Sequence, residues 1–339
     1  MNSSIVMSGG GTGGHLAIIK AVKEQLKGSS LVYIGSTKGQ DRDWFEGDSD
    51  FVESYFLDTR GVVNQGILGK FKSIYMLFKA TLESIRLLRK HNAKVVFSVG
   101  GFSSASTAFA SKILGIPLII HEQNASIGSL NRLLKPYSHT FISSYLDSSP
   151  IKAYPIKEEF FNLAHIRKEI KSIIFLGGSQ GARAINQLAL NLAPKLSAMG
   201  IEIIHQAGEN NIEQIKQKYK ELGIEADVFG FTKELSSYMD RADFAIARAG
   251  ASTLWELSAM GLPTLYIPYP YASSNHQYHN ANYLVAKDLA WVRREDKIDE
   301  EEILSLLDRD ISAQSRGLID EVKRDGSLQI AELLSLLAE

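Results

Sequence analysis

Residues 4–15 read Ser4-Ile-Val-Met-Ser-Gly-Gly-Gly-Thr-Gly-Gly-His15, and half a chain later the pattern recurs in outline as Ser172-Ile-Ile-Phe-Leu-Gly-Gly-Ser-Gln-Gly-Ala-Arg183. Each copy combines a short run rich in β-branched residues, a glycine-rich turn and a helical pattern of apolar residues, Leu16–Leu26 in one copy and Ala184–Leu196 in the other. A parallel α/β domain usually begins in this way. The repeat therefore predicts two similar domains in tandem.

Eight more apolar runs are candidates for buried strands, and helical stretches separate most of them. They are Leu31–Ile34, Val95–Val99, Pro117–Ile120, Thr140–Ser143, Glu202–His205, Ala226–Phe229, Phe244–Ala247 and Thr264–Ile267. Unbroken apolar strands that alternate with helices are typical of a parallel sheet covered on both faces. We expect an α/β fold with two Rossmann-like domains whose parallel sheets face each other across a cleft.

The length of the chain also favours two domains. At 339 residues it is too long for one ordinary domain, and each half can bury a core of its own. The segment Asp147–Lys157 carries two prolines between two regular patterns, so we place the linker near it. The predicted first domain is 1–155 and the predicted second domain is 156–314. The last helix, about 315–338, could pack on either domain and so return to the first.

The composition excludes several classes of protein. With 37 basic and 38 acidic residues the net charge is -1, so no global field attracts nucleic acid, and we expect none as a partner. No cysteine is present, which excludes disulfides, thiolate catalysis and cysteine-based zinc sites. No basic segment precedes the first apolar run, and no window approaches ~18 uncharged apolar residues. We expect a protein that is neither secreted nor membrane-spanning, with the cytoplasm as its default compartment.

Phosphate is the natural ligand of the two glycine-rich loops. A loop without Cβ atoms lets the backbone approach a ligand closely, and the helix that follows offers unpaired N–H groups and the positive end of its dipole. A P-loop would need lysine after the last glycine, whereas Gly14 is followed by histidine. The spacing Gly9-x-Gly11-x-x-Gly14 matches a dinucleotide fingerprint, but the acidic residue that should end the second strand is missing after Ile34. Two tight turns without a ligand remain the alternative.

Several motifs together make the chain resemble the MurG family of GT-B glycosyltransferases. They are Gly10-Gly-Thr-Gly-Gly-His15, His121-Glu-Gln-Asn124, Gly177-Gly-Ser-Gln-Gly-Ala-Arg183, Arg248-Ala-Gly-Ala-Ser-Thr-Leu-Trp-Glu256 and Gln277-Tyr-His-Asn280-Ala281. They follow the family's order, and the combination is more specific than any single loop. The resemblance covers nearly the whole chain and implies a GT-B fold.

The resemblance implies that the chain is a hexosyltransferase. Members of this family transfer N-acetylglucosamine, with inversion, from UDP-N-acetylglucosamine (UDP-GlcNAc) to undecaprenyl-diphosphate-MurNAc-pentapeptide (lipid I), forming lipid II in peptidoglycan synthesis. The implied location is peripheral, on the cytoplasmic face of the bacterial inner membrane, with an anionic membrane surface and proteins of cell-wall synthesis and division as further partners. No cofactor and no metal are implied. The leaving UDP would then be stabilised by helix N-termini and backbone N–H groups.

By motif, the resemblance assigns donor contacts to residues of both domains. They are Thr12, Gly13, Gly14, Asn124, Lys157, Ser179, Thr232, Ala251, Ser252, Thr253, Leu254, Trp255, Glu256 and Gln277. Chemistry supports Glu256 separately, because a carboxylate on the first turn of a helix can accept hydrogen bonds from two vicinal ribose hydroxyls. The spacing Thr253-x-x-Glu256 equally fits a capping box. Ser179 could meet the diphosphate or simply cap the second helix.

Three residues are candidates for the catalytic base that an inverting displacement requires. His15 is the first, because it follows the glycine loop directly and an imidazole suits base catalysis at neutral pH; it could instead bind phosphate or stabilise the loop. His121 and Glu122 are the alternatives, since strand C-termini line the ligand crevice of such sheets. His276 and His279 have the spacing of a metal pair, but the lack of further clustered ligands argues against zinc.

Two segments are candidates for contact with the lipid acceptor. Apolar and basic residues are interleaved in Gly69–Lys90, as expected of an interfacial basic helix. A core-facing amphipathic helix would look similar. The loop Gly100-Gly101-Phe102-Ser103-Ser104 is expected to face the lipid diphosphate through Gly100, Gly101, Phe102 and Ser104.

The chain departs from the family pattern in a few places. Tyr154-Pro-Ile-Lys157 stands where the family usually has Asn-Pro-x-Arg, and a lysine cannot make a planar two-pronged contact. Phe102 replaces a common tyrosine, Ile18 a common proline and Thr232 a usual aliphatic residue of the uracil pocket. Two alternative functions remain: another GT-B enzyme, such as a glycolipid synthase or a UDP-GlcNAc 2-epimerase, and a non-catalytic nucleotide-sugar-binding protein.

Overall fold

Each half of the chain forms a six-stranded parallel sheet in this computed structural model, which describes residues 3–59, 67–178 and 181–339, with the side chains of 67–71 left out. The chain divides into two units. Unit 1 is Met1–Lys157 together with Arg324–Glu339, and unit 2 is Glu158–Lys323.

Unit 1 is built on a sheet whose strands follow the order β3-β2-β1-β4-β5-β6, with all neighbours parallel. The strands are β1 (Ser4–Ser8), β2 (Leu31–Ser36), β3 (Glu53–Leu57), β4 (Ala93–Ser98), β5 (Leu118–Glu122) and β6 (Thr140–Ser143). The helices before the linker are α1 (Gly13–Lys23), α2 (Asp41–Phe45), α3 (Ile67–Lys90), α4 (Ala105–Leu114) and α5 (Ser129–Leu134). In register, Ile5 pairs with Leu31 on one side and with Val95 on the other.

Unit 2 repeats this topology, since its sheet order β9-β8-β7-β10-β11-β12 is that of unit 1, again with all neighbours parallel. The strands are β7 (Ser172–Leu176), β8 (Glu202–Gln206), β9 (Asp227–Phe229), β10 (Phe244–Ala247), β11 (Thr264–Tyr266) and β12 (Trp291–Val292). The helices are α6 (Glu158–Asn162), α7 (Arg183–Ala198), α8 (Ile212–Leu222), α9 (Leu235–Asp240), α10 (Ala251–Ala259), α11 (His276–Val285), α12 (Glu300–Leu307) and α13 (Ser312–Glu321).

The predicted pair of Rossmann-like sheets is confirmed, and so are all eight additional strands. Two strands escaped prediction, Glu53–Leu57 and Trp291–Val292, and both lie at a sheet edge. An edge strand buries less of itself, so its apolar pattern is weaker: Glu53 is exposed and the rest of β3 is only half-buried. Trp291–Val292 is too short to show any period.

Strand order places the glycine-rich loops at special positions. In unit 1 the order reverses between β1 and β4, and in unit 2 it reverses between β7 and β10. At such a switch point the two loops that follow the strands diverge and leave a crevice, where open α/β sheets bind ligands. Residues 9–14 follow β1 and the loop at Gly100 follows β4, while residues 177–182 follow β7 and Gly250 follows β10.

Two helices occupy the C-terminal range in which the sequence pattern suggests one. Helix α13 packs against α10 in unit 2, whereas α14 (Gly326–Ala338) packs against α1, β1 and β4 in unit 1. The second helix begins where the backbone passes very close to the linker, since a Cβ on Gly326 would lie 2.5 Å from Tyr154 O. The Ser327 hydroxyl donates to Ile156 O nearby. The chain therefore leaves one unit and joins the other between the two helices.

Arg167 is a fully buried cation that connects several segments of unit 2 through hydrogen bonds to their carbonyl groups. Its Nε lies 2.6 Å from Ala242 O, its Nη1 2.5 Å from Met260 O, and its Nη2 3.2 Å from Met239 O. Met239 is in α9 and Met260 follows α10, so the guanidinium meets carbonyls at the negative ends of two helices. Burial lowers the pKa of Arg167 to about 10, which leaves it charged at neutral pH.

We expect Arg167→Met to lower the free energy of unfolding by at least about 3 kcal/mol, because several buried carbonyls would lose their donors. Arg241→Met is the control: its exposed pair with Asp227 should cost less than about 1 kcal/mol. Urea denaturation of both variants measures the difference. Equal losses would show that Arg167 does not hold unit 2 together.

Candidate active site

A buried carboxylate holds the first glycine-rich loop in place by hydrogen bonding. Asp41, at the start of α2, has no solvent exposure, and it accepts hydrogen bonds from Gly11 N at 2.6 Å and from Ser36 N at 2.9 Å. Tyr33 Oη lies 3.0 Å from Asp41 Oδ1 and 2.8 Å from Gly9 O, so its hydroxyl links carboxylate and loop. Burial and the charge of Asp41 raise the pKa of Tyr33, which keeps this donor protonated.

Neighbouring loops pack so closely on this loop that they leave no room for side chains. A Cβ on Gly39 would lie 2.6 Å from Gly11 Cα, and a Cβ on Gly101 would lie 2.6 Å from Gly10 O. Gly10 and Gly11 also have φ of 155° and 84°, which favours glycine. The loop is therefore fixed by its neighbours without any ligand.

These contacts change the interpretation of the first loop. The Gly11 N–H, which could otherwise bind an anion, already donates to the Asp41 carboxylate. Phosphate contact through Gly11 is therefore disfavoured. Helix α1, with the positive end of its dipole, begins only at Gly13. The residue before it, Thr12, has an extended backbone, and its side chain makes no capping hydrogen bond.

His15 lies in the first turn of α1, partly exposed and in contact with two polar side chains. Its Nδ1 is 2.9 Å from Thr12 Oγ1, and its Nε2 is 3.0 Å from Gln123 Nε2. Gln123 is 7% exposed and comes from the segment after β5. Sequence reasoning assigned no role to Gln123, although it stands inside the quoted motif His121–Asn124.

The other two candidates for the base are placed differently. His121 is fully buried, its ring meets the Tyr154 ring edge-on, and burial, with a smaller effect of the charge of His15, lowers the pKa of His121 to about 3. Glu122 is 2% exposed and accepts hydrogen bonds from Gly128 N and Asn131 Nδ2. This geometry favours structural roles for His121 and Glu122.

The remaining unit 1 predictions concern Asn124 and the loop after β4. The backbone N–H of Asn124 donates to Glu122 Oε1, so Asn124 is held at the end of β5. Gly100 and Gly101 have positive φ, and the Phe102 ring lies against Gly11, where a Cβ would meet it at 2.9 Å. These residues therefore border the same loop as His15.

Ser104 and Lys157 are the last predicted positions in unit 1. Ser104 is buried, and its hydroxyl donates to Gly101 O. Ser104 therefore stabilises the turn at Gly101, which leaves its hydroxyl engaged within the loop. Lys157 is the final residue of unit 1 before the chain enters unit 2.

The second glycine-rich loop is described in part. Ser179 lies outside the described residues, so the prediction for it stays untested. Before Ser179, Gly178 N donates to Gln206 Oε1, and after it Gly181 N donates to Gly178 O. A Cβ on Gly181 would lie 2.4 Å from Ala207 O, so glycine is required there for close packing.

Helix α10 corrects the expected position of Glu256. The helix begins at Ala251, with Gly250 as its N-cap, so Thr253 lies inside the helix and cannot be the cap of a Thr-x-x-Glu box. Glu256 stands in the second turn, not in the first. Both Thr253 and Glu256 are partly exposed.

The other predicted donor residues of α10 are Ala251, Ser252, Leu254 and Trp255, and all four are buried. Their side chains form part of the core of unit 2. Only the backbone N–H groups of the first turn, which point along the helix axis, are suited to an anion.

Two further predicted donor residues organise loops of unit 2. Gln277 accepts a hydrogen bond from Tyr269 N at 2.9 Å, which holds the segment before α11. Thr232 Oγ1 accepts from Glu234 N at 3.0 Å in the turn after β9. Each side chain thus fixes backbone that follows the carboxyl end of a strand.

The residues that the structure describes contain neither a metal-binding cluster nor a membrane-crossing helix. Among residues 3–59, 67–178 and 181–339 there is no group of three His, Cys, Asp or Glu side chains arranged to hold a metal ion, and this range includes His276 and His279. None of the helices in the described parts combines the length and hydropathy of a membrane-crossing segment.

Comparisons with known proteins identify the family. Residues 5–142 match the glycosyltransferase family 28 N-terminal domain, and residues 172–333 match its C-terminal domain. A Sulfurovum sp. protein named UDP-N-acetylglucosamine--N-acetylmuramyl-(pentapeptide) pyrophosphoryl-undecaprenol N-acetylglucosamine transferase is 65% identical over 336 residues, 99% of each chain. A protein of the same name from Sulfurimonas denitrificans is 51% identical over 95% of each chain. The chain belongs to the MurG family.

A solved structure agrees with this assignment at the level of the fold. The crystal structure of Acinetobacter baumannii MurG superposes with a TM-score of 0.79 at 23% identity, covering 99% of this chain and 100% of that one. The glycosyltransferase SnogD from Streptomyces nogalater superposes with a TM-score of 0.66 at 13% identity. The GT-B prediction is thereby confirmed.

Two residues of this MurG-family site had escaped sequence reasoning. Asp41 could have been suspected, because an acidic residue opens a helix shortly after a buried strand. Gln123 offered no such signal, since its partner His15 is 108 positions away.

We expect Asp41→Asn to lower the free energy of unfolding by about 1–3 kcal/mol, because one of the two accepting oxygens becomes an NH2 group that faces either the Gly11 N–H or the Ser36 N–H. Asp43→Asn, on the exposed side of the same helix, is the matched control and should have little effect. Urea denaturation measures both. If Asp43→Asn cost as much as Asp41→Asn, the support of the loop by Asp41 would be refuted.

Proposed function

We propose that this chain transfers N-acetylglucosamine from UDP-GlcNAc to undecaprenyl-diphosphate-MurNAc-pentapeptide, forming lipid II with inversion at the donor C1. The observation that carries the proposal is the similarity, over nearly the full length, to the Sulfurovum transferase, whose name states the donor, the acceptor and the transferred sugar. The switch-point loops of both units would supply the chemistry that such a transfer needs.

His15 is the proposed base. The acceptor 4-hydroxyl gives its proton to the imidazole while its oxygen attacks C1 from the face opposite UDP. The bond from C1 to the acceptor oxygen forms as the bond from C1 to the UDP oxygen breaks, and UDP leaves with the electron pair. A partly exposed imidazole at the mouth of a rigid loop suits this role better than the fully buried His121.

Unit 2 supplies the proposed donor contacts. The N-cap of α10 is Gly250, which has no side chain that could cap the helix. The N–H groups of the first turn would therefore bind the diphosphate. Glu256, one turn further and partly exposed, would accept hydrogen bonds from the ribose hydroxyls. Gln277 would contribute its amide nitrogen, because its Oε1 holds Tyr269.

The transfer proposal is tested with labelled UDP-GlcNAc and a lipid I analogue. We expect transfer by the unaltered protein and a kcat lower by about 10²–10⁴ in His15→Ala, with KM for UDP-GlcNAc little changed. The control is His139→Ala, which removes an exposed histidine whose ring is hydrogen-bonded to the Thr140 hydroxyl.

The outcomes of this assay separate the alternatives. Absence of transfer by the unaltered protein would contradict the proposed function and favour a different GT-B enzyme or a binding protein. An unchanged kcat in His15→Ala would contradict only the assignment of His15 as the catalytic base.

Helix α3 is the proposed contact with the anionic inner-membrane surface, on its cytoplasmic side. Ile74, Tyr75, Phe78 and Leu82 are 54%, 69%, 62% and 45% exposed, although they are large and apolar. Their spacing places them along one side of the helix, and exposed Lys72, Lys79 and Arg86 flank them. The opposite side is buried, as at Ser73 and Ala80.

A core-facing helix would bury the apolar side that carries Tyr75 and Phe78, so the exposure of that side favours an interfacial role. Proteins of cell-wall synthesis and division are further proposed partners.

We expect Tyr75→Ser combined with Phe78→Ser to weaken binding to vesicles that contain anionic lipid by at least about tenfold, because two apolar side chains lose their burial in the interface. Leu222→Ser, at an exposed leucine that ends α8 in unit 2, is the control. Vesicle co-sedimentation measures both variants. Unchanged binding by the double variant would contradict the membrane role of α3.

A further inference from the structure

The contact between Gln123 and His15 joins two segments that are far apart in sequence. Gln123 Nε2 lies 3.0 Å from His15 Nε2, while Thr12 Oγ1 lies 2.9 Å from His15 Nδ1. Thr12 and His15 belong to the start of α1, whereas Gln123 follows β5. The imidazole is therefore held on both of its nitrogens.

With the amide nitrogen of Gln123 facing Nε2, these contacts favour one tautomer of the His15 ring. An amide nitrogen only donates, so the Nε2 of a neutral His15 must accept from Gln123 through its lone pair. Nδ1 then carries the hydrogen and donates it to Thr12 Oγ1. This is the opposite of the tautomer that free histidine prefers. The tautomer leaves the basic lone pair on Nε2.

A second observation concerns the other end of the same amide. Gln123 Oε1 is buried and has no hydrogen-bond partner among the residues that the structure describes. Buried amide oxygens are normally satisfied, so an unsatisfied one beside a candidate base points to a partner acquired during the reaction. A half-turn of the amide would bring Oε1 to the position of Nε2, beside His15.

We propose that Gln123 is a positioning residue for His15, which it holds as the Nδ1–H tautomer before reaction and as the doubly protonated ring afterwards. The proposal rests on the role of His15 in the proposed function. The acceptor hydroxyl replaces the amide N–H at Nε2 and transfers its proton there. The amide then turns, and Oε1 accepts the new Nε2–H until the proton passes to water.

The first test is nitrogen NMR of the protein labelled with ¹⁵N-histidine, recorded without substrates at a pH where His15 is neutral. Comparison with His15→Ala identifies the His15 signals. We expect Nδ1 to be protonated and Nε2 to be unprotonated.

In Gln123→Met, which keeps the length of the side chain but has no donor, the tautomer should move toward Nε2–H. Gln123→Glu, which can only accept, should show Nε2–H outright. An Nε2–H tautomer in the unaltered protein, or no change in Gln123→Met, would overturn the proposal.

The second test is a double-mutant cycle in the transfer assay. Gln123→Met should lower kcat by about tenfold or more, with KM for UDP-GlcNAc unchanged, because general base catalysis contributes at least that much. In a His15→Ala background the same substitution should have no further effect. Gln25→Met, at an exposed glutamine after α1, is the control. A merely structural glutamine would lower kcat equally in both backgrounds, which would refute the proposal.

The two tests distinguish failure of this inference from failure of the proposed function. NMR reports the tautomer whether or not the protein turns over. If the unaltered protein failed to transfer sugar, the proposed function would fall. If it transferred sugar and Gln123→Met left both kcat and the tautomer unchanged, the inference alone would fall.

Discussion

The hydrogen bond from the Gly11 N–H to the Asp41 carboxylate is the constraint on which the unit 1 site depends. It fixes the glycine-rich loop from below, with Tyr33 as a bridge to Gly9. Because the loop is fixed, the start of α1 is fixed too, and His15 stands at a defined place within reach of Gln123. The glycines thus serve close packing of backbone on backbone more than anion binding. We propose that the part of the loop around Gly11 serves to hold the His15 imidazole in place and does not bind phosphate.

The two units use the same strand order for different chemical tasks. In unit 1 the loops at the switch point carry an imidazole and polar side chains, with a carboxylate beneath them. In unit 2 the corresponding position carries the N-terminus of α10, whose cap is a glycine and whose first turn offers N–H groups. The Asp41 carboxylate disfavours an anion at the Gly11 N–H, whereas the positive end of a helix favours one. This difference is one reason why we propose the donor diphosphate for unit 2 and proton transfer for unit 1.

Local patterns in the sequence predicted most of the fold. Central strands are continuous apolar runs, so their burial could be read directly, whereas the edge strand at Glu53 lacks such a run. Features that depend on distant partners could not be read. Asp41 is defined by donors from the first glycine-rich loop and from β2, and Gln123 by a histidine 108 positions away. The capping box at Thr253 was wrong because the helix begins at Ala251, a boundary that spacing alone does not fix.

The most direct test of this account is the Gly11 amide signal in a ¹⁵N-labelled protein, followed by NMR with hydrogen exchange. If the carboxylate of Asp41 holds the loop, this amide is protected in the ligand-free protein, its proton resonates downfield, and neither property changes when UDP-GlcNAc or a lipid diphosphate analogue is added. Fast exchange of Gly11 in the free protein, with protection appearing only when a diphosphate binds, would contradict the account and return the loop to the role of a phosphate site.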